Sequence, residues 1–406
     1  MQRASPTPQP RTPACPTTAT FPFRAGEDRP SRQVWREIFS YPALDKALRR
    51  LDASEDRRRI RLLQIEAAPQ PWNKATQREA SCLKRVAGCR AALLDFKSGA
   101  RRAGAIGFTD MPYELSGGYG RLFAQQKAAG VKTKSLMFCP RELRPVLCSE
   151  LLLDLDLKTA LPTIASQLDI LGLASSENLV LLKRYCAEKD SFLRALIVGH
   201  GIEPLGANSA EGIAKLLGTA ILFGGDAGYA GWLRQWGSAL ERRNPERDLL
   251  SFFVDMQAEV ARLQNEVAIN VKDALAAMRA DSGEPPNAKQ AKADKQPKTV
   301  FAKVTQEIEA CILALTIPNL ESRGWTVHSL QQDGLLVAPP PGLRPAEGCS
   351  PSEQQVTAAK AALLGLAQEA EEIIRAPPPT GLGLAIRWDV KDLFGADASA
   401  LLAGFD

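Results

Sequence analysis

Residues 151–157 read Leu-Leu-Leu-Asp-Leu-Asp-Leu, an apolar run that sets Asp154 and Asp156 two positions apart. Side chains alternate along a strand, so both carboxylates face one side and can reach one site. A third acid, Asp333, lies in Gln331-Gln332-Asp333-Gly334, between two β-prone arms within residues 324–337. An Asp-Gly pair between such arms signals a hairpin turn. An aspartate on a strand beside an aspartate on a hairpin tip can hold two Mg²⁺ ions roughly 3.5–4 Å apart, the arrangement that serves in-line phosphoryl transfer. Each ion typically takes one or two carboxylates together with substrate phosphates. Asp-x-Asp also marks metal sites of sugar-nucleotide transferases, which keeps that class open. It would leave Asp333 without a role.

The elements that must position these acids are legible in outline. Between them, residues 163–280 are mainly helical in pattern, the longest stripe being Leu249, Phe253, Met256, Val260, Leu263, Val267, Val271 and Leu275. That three- and four-residue spacing is a packing face. Helices are also expected at about 301–316 and 351–375, and a final strand over Leu382–Val390. Glu369, Glu371 and Glu372 read as a solvated helix face. Residues 33–98 read as helical and basic, with Trp35, Ile38, Phe39 and Leu44 beside arginines at 49–50 and 57–59. Such a face is either solvated or a contact surface for a phosphate backbone.

Residues 1–32, rich in Pro, Thr, Arg and Ser and without an acid before Glu27, are expected to be disordered. An organelle transit peptide has a similar make-up. Residues 281–299, with Pro285-Pro286 and four spaced lysines, are expected to be a flexible linker.

At 406 residues and 45% apolar content, the chain can form two or three folding units. A net charge of +5 does not by itself argue for a nucleic-acid partner. Eight scattered cysteines without a CxxC pair, and only two histidines, disfavour a zinc site or a disulfide framework. A reducing, intracellular compartment (nucleus or cytoplasm, or an organelle) is expected. No apolar run has membrane-spanning length, so a soluble protein without a membrane partner is expected. Neither a nuclease constellation nor a P-loop is present.

Three motifs in order resemble family A DNA polymerases. Asp154-Leu155-Asp156 leads into Lys158-Thr159-Ala160-Leu161-Pro162. Lys215 is followed by Phe223-Gly224 at the family's lysine-to-aromatic-glycine spacing, and Gln332-Asp333-Gly334 closes the set. With Gly120-Arg121-Leu122 and Arg144 upstream, the chain is most similar to the divergent enzymes of transposons and virophages, over roughly residues 113–340, with a closing strand near Lys391. The resemblance implies metal ligation by Asp156 and Asp333, with Asp154 the rival first ligand. It implies that Lys215 neutralises the triphosphate, that Phe223 and Gly224 contact the nucleotide, and that Arg121 and Arg144 contact nucleic acid. Two Mg²⁺ ions, a DNA primer–template and deoxynucleoside triphosphates are the implied cofactors and substrates. The chain departs from the family at Glu211, Leu161 and Gln332, which implies slow chemistry or a polymerase-derived binder without catalysis.

The expected fold class is α+β: a polymerase-like palm built on a small antiparallel sheet from residues near 150–158, 324–338 and 382–391. The divisions are a tail at 1–32, a helical accessory region at 33–112, a first palm segment at 113–170, fingers helices at 171–280, the linker at 281–299 and a second palm segment at 300–406.

Overall fold

Leu153, Leu155 and Leu157 are buried while Asp154 and Asp156 between them are only half-buried, the two-residue alternation of a strand with one face on a core. The computed structural model describes residues 32–67, 74–115, 122–124, 127–128, 131–132, 135–139, 143–205, 209–223, 228–240, 247–274, 296–331, 333–346 and 349–391. Nearly all of the tail and most of the linker expected from the sequence lie outside these residues.

The chain opens with β1 (Arg32–Ser40), α1 (Tyr41–Glu66) and α2 (Lys74–Gly99). Strands β2 (Arg101–Ala103), β3 (Ile106–Leu115) and β4 (Leu122–Ala124) follow, then the short pair β5 (Lys127–Ala128) and β6 (Val131–Lys132). β1 and β2 flank β3 in an antiparallel sheet that β4 also joins. The helical reading of residues 33–112 is therefore corrected at both ends. Trp35, Ile38 and Phe39 fit helical spacing, but the buried set is Trp35, Glu37 and Phe39, a period of two that includes a carboxylate. The expected division at 112/113 cuts through β3. Ser40 caps α1 through the Ala43 N–H, with a proline in the first turn.

α3 (Arg144–Cys148) leads to β7 (Leu153–Leu157) and α4 (Ala160–Ala165). The helical block continues with α5 (Val180–Ala187), α6 (Lys189–His200), α7 (Ala210–Leu222), α8 (Gly228–Trp236) and α9 (Arg247–Asn270). α10 (Pro297–Ser322), β8 (Thr326–Leu330), β9 (Gly334–Ala338), α11 (Glu353–Arg375) and β10 (Trp388–Lys391) complete the described chain. α10 begins inside the expected linker because Pro297 suits the first helical turn. The last strand is only Trp388–Lys391, since residues 382–387 make no ladder.

The second sheet runs β10-β7-β9-β8, all antiparallel. Its buried leucines share a core with Phe301, Val304 and Ile308 of α10 and Leu363, Ala367 and Ala370 of α11. Glu371 corrects the reading of a solvated acidic face: its Oε1 accepts from Trp388 N at 2.7 Å and ties β10 to α11. A separate core joins Phe39, Leu44, Leu48, Leu51, Leu93 and Phe96 to Leu147 and Leu336, so the amino-terminal unit packs on the far end of β9. Burying a side chain of this size contributes about 1.5–3 kcal/mol relative to exposure.

Candidate metal and nucleotide site

Asp156 pairs in register with Gly334 on one side and Asp389 on the other. The Leu157 amide donates to the Asp333 carbonyl at 2.8 Å, and the Gln331 amide to the Gly334 carbonyl at 2.8 Å, which closes the β8–β9 turn. A side chain at Gly334 would put its Cβ 2.5 Å from the Leu155 carbonyl oxygen and 3.1 Å from Asp156 Oδ1. Glycine therefore lets the turn carry Asp333 down onto β7.

The two acids feel one another. Burial raises the Asp156 pKa to about 7, and the Asp333 charge adds to that rise. Asp154, one step back on the same face, adds a smaller repulsion. Lys391 opposes all three by donating to Asp156 Oδ2 from the other flank of β7. Asp156, paired with Gly334 in the ladder, lies nearer the Asp333 turn than Asp154, which pairs with Leu336. Two half-buried carboxylates that repel each other are a donor set suited to a hard divalent cation.

The helices bring cations to the end of β7. Thr159 has φ of 58°, a left-handed turn that ends the strand's course and starts α4. Lys189, at the start of α6, donates from Nζ to Thr159 Oγ1 at 2.7 Å. Burial lowers its pKa, and the Lys215 charge lowers it further. Lys215, exposed on α7, pairs with Glu211 one turn earlier at 2.6 Å. Together with Lys158, Arg194 and Arg387, Lys189 and Thr159 line a cleft of about 670 Å³ beside the strand end.

Packing fixes this geometry. Two Glu259 oxygens from α9 accept from the Leu181 and Leu182 amides at 3.0 and 2.9 Å, satisfying the start of α5. Gly218 admits the Tyr185 ring, since a Cβ there would lie 2.5 Å from Tyr185 Oη. Trp232 Nε1 donates to the Ile213 carbonyl at 2.8 Å and locks α8 to α7.

Of the residues singled out in the sequence, Asp156 and Asp333 lie side by side with Asp154 one step back on β7. No cluster of three His, Cys, Asp or Glu side chains able to hold a metal occurs among the described residues. Lys215 acts on the site through the field it exerts on Lys189. Arg144 opens α3 and donates to Gln331 Oε1, so it borders the Asp333 turn. Phe223 ends α7 with its ring 6.4 Å from that of Phe301, packed against the core. Arg121 and Gly224 lie outside the described residues. Lys189, Arg194 and Arg387 escaped the sequence reading, because nothing in their neighbourhoods marks them and only the return of the helices gathers them. The same holds for Glu37, fully buried on β1, whose carboxylate accepts from Tyr113 Oη, Ser135 Oγ, Ser329 Oγ and the Leu136 amide. Burial pushes its pKa up and these donors pull it down.

This is a polymerase-like fold: an antiparallel sheet bearing the acids, a helical block inserted between its strands, and a helical hairpin before them. The solved POL domain of Pol1 from M. smegmatis, in complex with DNA primer-template and dNTP, matches 89% of this chain and 68% of its own, with a TM-score of 0.51 and 10% identity. At that identity the likeness is one of fold; 42 solved chains match this chain. No protein-family model and no curated protein matches the sequence. No described helix is long and apolar enough to cross a membrane.

Proposed function

We propose that the chain is a template-directed DNA polymerase of the divergent family A kind, joining deoxynucleoside triphosphates to a primer 3′-hydroxyl. The observation that carries this reading is the pairing of Asp156 with Gly334 and of the Leu157 amide with the Asp333 carbonyl, which sets the two acids side by side at a strand end near the Lys189 cleft. In this reading β7–β10 form the palm, α5–α9 the fingers, and a primer–template passes Arg144 beside the Asp333 turn.

Asp156 and Asp333 would hold two Mg²⁺ ions, with Asp154 as an additional ligand. When bound, the metal ions supply charge stabilisation to the attacking and leaving oxygens at the α-phosphate. Lys189 and Lys215 neutralise the triphosphate, so the departing pyrophosphate leaves into a cationic cleft. Phe223 and the following Gly224 border the nascent base pair. Arg144 holds the nucleic acid near the turn, and Arg121 is a further basic contact for it. The protein's own role is positioning and charge rather than covalent chemistry.

A second reading, a polymerase-derived DNA binder without catalysis, is favoured by two ion pairs. Glu211 engages Lys215 and Lys391 engages Asp156, so internal partners hold groups that nucleotide and metal would otherwise take. Extension of a labelled primer on a DNA template, with Mg²⁺ and with EDTA, tests the choice. Mg²⁺-dependent, template-directed addition supports the enzyme. Tight DNA binding with no addition in Mg²⁺ or Mn²⁺ supports the binder.

A further inference from the structure

Glu37 lies far from the acids in sequence, yet its hydrogen bonds lead to the Asp333 turn. Its Oε1 accepts from Ser135 Oγ at 2.6 Å, from Ser329 Oγ at 2.9 Å and from Tyr113 Oη, while Oε2 accepts from the Leu136 amide at 2.7 Å. Four donors converge on this carboxylate, the arrangement of an ionised group that can only accept. Glu37 and Ser329 are wholly buried, and no water need mediate the contacts.

Direction then propagates along the chain of partners. Ser329 points its one proton at Glu37, or at the Tyr113 oxygen 3.1 Å away, and so has only lone pairs to offer on its other side. Gln331 Nε2 donates to it at 2.9 Å. The Gln331 amide is thereby fixed with its Oε1 outward, where it accepts from Arg144. The Gln331 backbone closes the turn that presents Asp333. A second tie, the His328 ring to the Arg36 carbonyl at 2.6 Å, holds β8 against β1 in the same register.

We propose that Glu37 is a positioning residue for the acid-bearing turn and for Arg144, acting by setting the donor–acceptor direction through Ser329 and Gln331. This inference rests on the polymerase reading for its consequence in catalysis, but the coupling itself belongs to the fold. The buried carboxylate on the amino-terminal sheet makes Arg144 a directed donor rather than a free surface arginine. It joins the amino-terminal unit to the geometry of the turn.

The test exploits direction. In Glu37→Gln the new NH₂ can face the Leu136 amide, donor against donor, or face the hydroxyls and reverse Ser329. A reversed Ser329 donates to Gln331, turns that amide over and presents its NH₂ to the Arg144 guanidinium. Adding Gln331→Glu supplies a carboxylate that accepts from both Ser329 and Arg144, so the double variant restores a consistent chain. Gln331→Glu alone sets two carboxylates competing for one hydroxyl.

Hydrogen exchange of the 326–338 segment is measured in all four proteins beside primer–template KM and kcat. Each single variant is expected to exchange about tenfold faster there, the loss of one buried hydrogen bond, with the double variant near the original. KM for primer–template follows the same order, while kcat changes less. Additive effects, with the double variant worse than either single one, would overturn the proposal. If exchange shows the rescue but none of the four proteins extends a primer, the coupling stands and the polymerase reading fails.

Discussion

Lys391 donates to Asp156 from β10, on the side of β7 opposite the turn that carries Asp333. One acid is thus gripped from one flank and repelled from the other. The site holds more negative charge than this ammonium balances, and a divalent cation relieves the excess. Replacing Lys391 by Met removes the internal counter-charge and leaves the acids to each other. The metal-free protein is expected to lose about 1–2 kcal/mol, a partly buried pair lying between the exposed and buried limits. Mg²⁺ should restore most of that loss and bind more tightly than to the original. Urea unfolding in EDTA and in Mg²⁺ measures both effects.

The two lysines near the end of β7 have different surroundings, and their variants should differ accordingly. Lys189 is half-buried against Thr159, whereas Lys215 is exposed and engaged by Glu211. Lys189→Ala is expected to raise the nucleotide KM by about tenfold, since a partly desolvated cation interacts more strongly with phosphate. Lys215→Ala should raise it less. Glu211→Gln frees Lys215 and should lower the nucleotide KM by about two- to threefold, the value of an exposed pair. Steady-state extension at varied nucleotide concentration reads all three.

His328 gives the fold a pH dependence of known sign. Its partly buried ring donates to the Arg36 carbonyl, and burial holds its pKa below the usual 6.5. The unfolded chain therefore binds a proton that the folded chain resists as pH falls below about 6.5. Stability from this group is complete above that value and declines toward the lowered folded-state pKa, with a slope of at most about 1.4 kcal/mol per pH unit. His328→Asn keeps a donor for the carbonyl and should flatten the difference. Unfolding midpoints of the two proteins between pH 5 and 8 provide the comparison.

The acids were legible in the sequence because local rules place them. Leucines alternating with Asp154 and Asp156 admit a strand, and Asp333-Gly334 between β-prone arms admits a hairpin. Strand pairing then follows from the leucine face, which must meet the same core as Leu335 and Val337. What stayed hidden depends on how distant segments return. Lys189 reaches Thr159 across 30 positions because α5, α7 and α9 hold α6 at the strand end. Glu37 was hidden for a different reason. A buried carboxylate breaks the apolar pattern of β1, and Trp35, Ile38 and Phe39 then imitate a helix. Its meaning appears only when β8 brings Ser329 beside it.

The central claim is that Asp156 and Asp333 form one metal-dependent catalytic pair, and Asp333→Asn tests it most directly. Asparagine keeps the side-chain shape and removes the charge, while Arg144 and the lysines of the cleft remain. Primer extension and primer–template affinity are measured together for the original protein and the variant, in Mg²⁺ at fixed salt. Extension should fall by about a thousandfold or more while affinity changes by less than about threefold, the signature of lost transition-state stabilisation without lost binding. An unchanged extension rate in Asp333→Asn would contradict the account.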